Sequence, residues 1–179
     1  MKIGLCGTMS VGKTTLVNAL KELGTFEGYI TRTERSKHLM SLGIPLNTDS
    51  TLKGQTVFLA ERASELMNKA IITDRTVLDV MAFAHCSNSM NYVEKENFIQ
   101  LASCLIHEYD YIFYVSPEGV DIEDNGIRET DAKYRQLIDN SIRYFITRYG
   151  TRIKNLIQIK GTTEERIKVI QETLSPQYV

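Results

Sequence analysis

The stretch Gly7-Thr8-Met9-Ser10-Val11-Gly12-Lys13-Thr14 decides the fold. It fits G-x-x-x-x-G-K-[ST], a loop whose glycines let successive backbone N–H groups turn inward around a phosphate chain. Its flanks agree. Lys2–Cys6 reads as a strand, and Leu16, Leu20 and Leu23 recur at i, i+4 and i+7, so a helix leaves the loop. That helix start adds partial positive charge where phosphates collect. Lys13 is placed to reach the terminal phosphates, and the Thr14 hydroxyl is a Mg2+ ligand by type. Gly7, Thr8, Ser10, Val11, Gly12, Lys13, Thr14 and Thr15 are therefore candidate nucleotide contacts.

Outward from the loop, short apolar runs alternate with longer amphipathic ones. Residues 29–33, 70–73, 111–115 and 156–159 read as further strands. Helices are expected over 35–42, 51–68, 77–86, 131–149 and after Thr162. Asn91 with Glu94, and Thr162 with Glu165, have capping-box spacing. Helix 51–68 would bury Val57, Leu59, Ala60, Ala63, Leu66 and Met67, and the helix after Asn91 would bury Phe98, Leu101, Ala102 and Leu105. Strands alternating with helices predict an α/β protein with a parallel sheet covered on both faces. A chain of 179 residues makes one domain, 1–179, with a lid segment around 120–136.

Composition narrows the class. There are 21 basic and 22 acidic residues, a net charge of −1, and 42% apolar residues, close to the globular average. Near-zero charge argues against a general nucleic-acid coater. Cys6, Cys86 and Cys104 are odd in number, without C-x-x-C spacing, and read as reduced thiols. No apolar run reaches the ~18 residues of a membrane span. Glycines at 4, 7 and 12 break any leader-like core near the N-terminus, so the expectation is a cytoplasmic protein that starts inside its fold.

The loop implies nucleoside-triphosphate binding but not its use, since many functions share it. The N-K-x-D motif of GTPases is absent. An AAA module would be longer, with a second arginine sensor, so a small-molecule kinase is the expectation. Ligands in parallel sheets sit beyond the carboxyl ends of strands. Ile71-Ile72-Thr73-Asp74-Arg75 ends there in a carboxylate that can serve Mg2+ or take a proton, and a guanidinium that can clamp the acceptor. Thr31-Arg32-Thr33-Glu34-Arg35 ends likewise, making Glu34 a rival to Asp74 as general base and Arg32 and Arg35 anion clamps. Beyond Gly126, Arg128 is favoured over Arg135 as the arginine that neutralises charge on the transferred phosphoryl group. His38, His85 and His107 have no metal-ligand spacing.

Several stretches together carry a resemblance. They are residues 7–15, Glu34-Arg35, Asp74-Arg75 with Asp79, Tyr109-Asp110-Tyr111-Ile112-Phe113, Asp124-Asn125-Gly126-Ile127-Arg128, and Lys160-Gly161-Thr162-Thr163-Glu164-Glu165-Arg166. The chain resembles, over nearly its whole length, P-loop kinases of the bacterial nicotinamide-riboside kinase group, and more distantly thymidylate and deoxynucleoside kinases. The resemblance implies a three-layer fold with a five-stranded parallel sheet, ATP with Mg2+, and a nucleoside or nucleoside-monophosphate acceptor. It implies Arg135, Gly161 and Thr162 near the nucleotide, and adds Asp79 to the acceptor contacts. Riboside kinases carry D-x-D where this chain has Thr73-Asp74-Arg75, closer to thymidylate kinases, which disfavours nicotinamide riboside.

Two alternatives stay open. One is a kinase for a hydroxyl on modified DNA, with Arg143, Arg148, Arg152 and Lys154 as its basic run. The other is a non-catalytic nucleotide switch. The partner expected is the small acceptor, with nucleic acid less favoured, no membrane, and a homodimer left open.

Overall fold

Along β1 (Lys2–Cys6) the side chains alternate between two cores: Ile3 and Leu5 face one, Cys6 the other. The structure, a computed structural model, describes residues 1–33, 36–119 and 132–175. Among these, β1 lies at the centre of one parallel sheet with β2 (Ile30–Arg32), β3 (Ile71–Asp74), β4 (Tyr111–Val115) and β5 (Leu156–Ile159), in the order β2-β3-β1-β4-β5. Each strand bound falls within a residue of its sequence reading.

Helix α1 (Lys13–Lys21) and α7 (Thr163–Leu174) cover the face that holds Ile3, Leu5, Phe113 and Val115. The opposite face carries α3 (Leu52–Glu65), α4 (Val77–His85), α5 (Tyr92–Ser103) and α6 (Ala132–Arg148), while α2 (Ser36–Ser41) contributes Leu39. This is the three-layer P-loop kinase fold. β1 and β3 are neighbours, yet α1 and α4, the helices that follow them, lie on opposite faces. A crevice opens between the carboxyl ends of two such strands, and the site is built there. No helix among the described residues is long and apolar enough to cross a membrane.

Two helical faces differ from the pattern reading. On α5 the buried side is Phe98, Ile99, Ala102 and Ser103, and Leu101 is 62% exposed. On α3 the buried stripe is Gly54, Gln55, Phe58, Leu59, Arg62 and Glu65, whereas Met67, just beyond the helix, is 84% exposed. The α3 stripe includes a charge pair inside the protein. Arg62 donates from Nη2 to Glu65 Oε1 at 2.7 Å, and its Nη1 reaches the Asp74 carbonyl at 3.4 Å.

Burial holds the Glu65 carboxyl above its ordinary value of 4.5, against the pull of Arg62. A carboxyl raised in the folded state contributes stability that is full below the unfolded value and lost as pH rises through the folded one. Glu65→Gln keeps an acceptor for Arg62 but cannot ionise, at a cost of about 1–3 kcal/mol. We expect its deficit against the wild type to shrink as pH rises from about 4.5. Denaturant unfolding across that range checks this, and a deficit that grows with pH contradicts it.

Candidate functional site

The chain leaves β1 into a loop whose shape needs its glycines. A Cβ on Gly7 would stand 2.6 Å from the Val115 carbonyl oxygen, and Gly12, at φ 81°, is the left-handed residue that opens α1. Carbonyls around the loop are met by cations. Lys13 Nζ donates to the Gly7 and Thr8 oxygens at 2.6 and 2.7 Å. Arg135, from α6, donates to the Met9 oxygen at 3.2 Å and makes a longer contact with the Ser10 oxygen at 3.5 Å. Arg166, from α7, donates to the Val11 oxygen at 2.6 Å. The Gly12 oxygen takes the Leu16 N–H at 3.0 Å, the first turn of α1. Cations on the carbonyls of a turning loop favour its peptide N–H groups as an anion site.

The Thr8 hydroxyl donates to the Arg135 carbonyl at 3.0 Å, a second tie between loop and α6. Lys13 is 6% exposed. Burial pushes its ammonium below the ordinary value, while Asp79 and then Asp74 pull it back. Beneath the loop, burial pushes the Cys6 thiol well up, so it stays protonated and unreactive.

Across the crevice, Asp74 is 2% exposed and its carboxylate accepts a hydrogen bond from the Thr14 hydroxyl. Among the described residues no three His, Cys, Asp or Glu side chains gather into a metal-holding group. The candidate set is Thr14 with Asp74, a sparse pair of hard oxygens of the kind Mg2+ uses together with phosphate oxygens. Arg75 follows in left-handed backbone at φ 91°, costly for a residue with a side chain and typical of functional turns. Its N–H extends the sheet to the Leu5 oxygen at 3.0 Å, and its guanidinium lies 4.7 Å over the Phe83 ring. Arg32 ends β2 beside Thr73 and is exposed on the same edge of the crevice.

Asp79, expected among the acceptor contacts, is fully buried and tied into the fold. Its Oδ1 accepts the Gly7 N–H at 3.0 Å, and its Oδ2 accepts the Thr76 N–H and hydroxyl at 2.7 and 2.9 Å. It joins the first residue of the loop to the capping box of α4. The Thr76-x-x-Asp79 spacing is the signal that would have found it. Sequence reading also missed Arg62, which braces the backbone of Asp74.

Thr15 is exposed on the first turn of α1, and Gly161 and Thr162 are exposed at the start of α7, one turn ahead of Arg166. Glu34, Arg35 and Arg128, with most of the lid segment, lie outside the described residues. Much of the basic run is engaged within the protein. The Arg148 guanidinium lies over Tyr144 and Tyr149, Arg152 donates to Ser103 at 2.8 Å, and Lys154 pairs with Asp110 at 3.1 Å. Asp110 bonds the Lys2 carbonyl from its N–H, so the run ends at the pole opposite the loop.

Solved structures that match the chain include three of deoxyadenosine kinase from M. mycoides. The form with products dCMP and a flexible dCDP is 17% identical, with a TM-score of 0.70 over 97% of this chain and 98% of that one. The dATP-bound form is 18% identical with a TM-score of 0.66 over 97% and 99%. The dCTP-bound form is 17% identical with a TM-score of 0.65 over 97% and 98%. None of the curated proteins compared matches the chain. Length had set AAA modules aside, and the family comparison corrects that exclusion. A family described as an AAA domain matches residues 2–166, from the first strand through Arg166, and the chain belongs to that family.

Proposed function

We propose that the protein is an ATP-dependent kinase that phosphorylates a nucleoside or a nucleoside monophosphate. The observation that carries this is the hydrogen bond from Thr14, at the end of the phosphate loop, to Asp74, at the end of β3. It sets a metal-type oxygen pair beside a loop whose Gly7, Thr8, Met9 and Val11 carbonyls are taken up by cationic side chains. These residues fit a magnesium-bound triphosphate, which when bound supplies the phosphoryl group and neutralises charge on its oxygens.

In this reading Lys13 exchanges its loop carbonyls for phosphate oxygens, and Thr14 and Asp74 hold the metal. Either Asp74 or Glu34 takes the proton from the acceptor hydroxyl. Arg32, Arg35 and Arg75 hold the acceptor, Arg75 from a turn already fixed by the sheet. Arg128 neutralises the transferred group, and Arg135, Gly161 and Thr162 border the nucleotide. The full-length likeness to deoxyadenosine kinase supports an acceptor of the nucleoside class. Much of the basic run is engaged within the protein and it ends at the pole opposite the loop, which gives little support to a polynucleotide acceptor.

The test is ADP release with a panel of nucleosides, nucleoside monophosphates and oligonucleotides. One of the first two groups should stimulate release, which should stop in chelator and return with Mg2+ or Mn2+. Full activity in excess chelator would sink the metal assignment. Nucleotide binding that no acceptor converts into ADP release would favour a regulatory switch instead.

A further inference from the structure

The cations on the loop carbonyls are not equally balanced. Lys13 feels both Asp79 and Asp74. Arg166 is 4% exposed, and no carboxylate among the described residues forms an ion pair with it. Its neighbour Glu165 is turned back to the Thr162 N–H at 2.8 Å. Its Nε is buried and meets no acceptor among the described residues. Burial alone lowers its pKa, with no charged neighbour contributing. Burying a guanidinium this way is costly unless opposite charge faces it.

Its contact shows where that charge would come from. Nη1 donates to the Val11 oxygen at 2.6 Å and stands 3.2 Å from the place a Cβ on Gly12 would take. In a trans peptide the N–H points opposite to the C=O. A cation on the Val11 oxygen therefore polarises the Gly12 N–H on the far side of the same peptide and makes it a stronger donor. We infer that Arg166 is a buried counter-charge for the polyphosphate held by the loop, acting through the Val11–Gly12 peptide. It is a positioning residue, and it touches the loop backbone rather than the ligand. The inference rests on the phosphate-loop reading proposed above.

Inorganic tripolyphosphate is the probe, because it carries the charge without base or sugar. Its binding to the full chain is measured by calorimetry for wild type, Arg166→Met and Arg166→Lys, with the ligand-free thermal midpoint of each. Arg166→Met should lose about tenfold to a hundredfold in affinity. Its ligand-free midpoint should stay level or rise, since an unbalanced buried charge is gone. Arg166→Lys should recover part of the affinity by restoring the charge. Arg166→Met binding within twofold of wild type overturns the inference, as does an Arg166→Lys variant no better than Arg166→Met. If Arg166→Met does not fold, Arg166→Gln replaces it as the neutral variant, with the same expected loss and the same overturning result. Wild-type protein that does not bind tripolyphosphate overturns the phosphate-loop reading and this inference together.

Discussion

Lys13→Ala lowers phosphoryl transfer by about 10³-fold, the scale set by losing one fixed charge from a transferring phosphate. The stability effect should be small, because two changes oppose each other. The Gly7 and Thr8 oxygens lose a donor at 2.6 and 2.7 Å, but a buried ammonium held below its ordinary pKa also disappears. We expect a net change of about 1 kcal/mol, or roughly 2–4 °C in the thermal midpoint of a chain this size. Acceptor-dependent ADP release and a melting curve on the same preparation separate the two effects. Turnover near the wild-type level with any acceptor would remove Lys13 from the site.

Asp79→Ala should have the opposite profile, with the largest loss in stability. The carboxylate is fully buried and accepts from Gly7 N–H, Thr76 N–H and the Thr76 hydroxyl. Truncation strands two buried backbone donors and opens one side of the α4 cap, together costing about 3–5 kcal/mol. That is a fall of roughly 6–20 °C in thermal midpoint. Nucleotide affinity should fall with it, since Gly7 begins the loop. Asp79→Asn keeps an acceptor and should recover part of both losses. Denaturant unfolding gives the magnitude, and stability within about 1 kcal/mol of wild type would show that these bonds are replaceable.

The elements were legible because their signals are local. The spacing of Asn91 with Glu94 and of Thr162 with Glu165 marked the starts of α5 and α7, and both capping boxes are present. The run from Lys2 through Thr14 contains its own strand, turn and helix entrance. The α3 face was not legible, because a paired Arg62 and Glu65 look like a solvated surface to any reading by hydropathy. Asp79 and Arg166 failed for a related reason. Asp79 has a local half in its Thr76 cap, but its bond to Gly7 spans 72 residues and that of Arg166 to Val11 spans 155, and no short window along the chain contains both ends of either. Sequence thus offered candidates for ligand contact more readily than the residues that brace the loop.

The order in which the loop acquires its supports bears on how the protein is made. β1 and the loop are synthesised before their supports: β1 pairs with β3 and β4, and the loop carbonyls are met from Arg135 and Arg166. A nascent chain ending before α7 has the whole phosphate-binding motif and lacks one of the cations that orient it. Contacts this distant in sequence form slowly, after a long stretch of chain has been ordered. Until β3 and β4 have been made, the apolar β1 has neither neighbour strand and is exposed to wrong pairing. In the proposed reading, full phosphate binding therefore waits until α7 has been made and has docked against the loop.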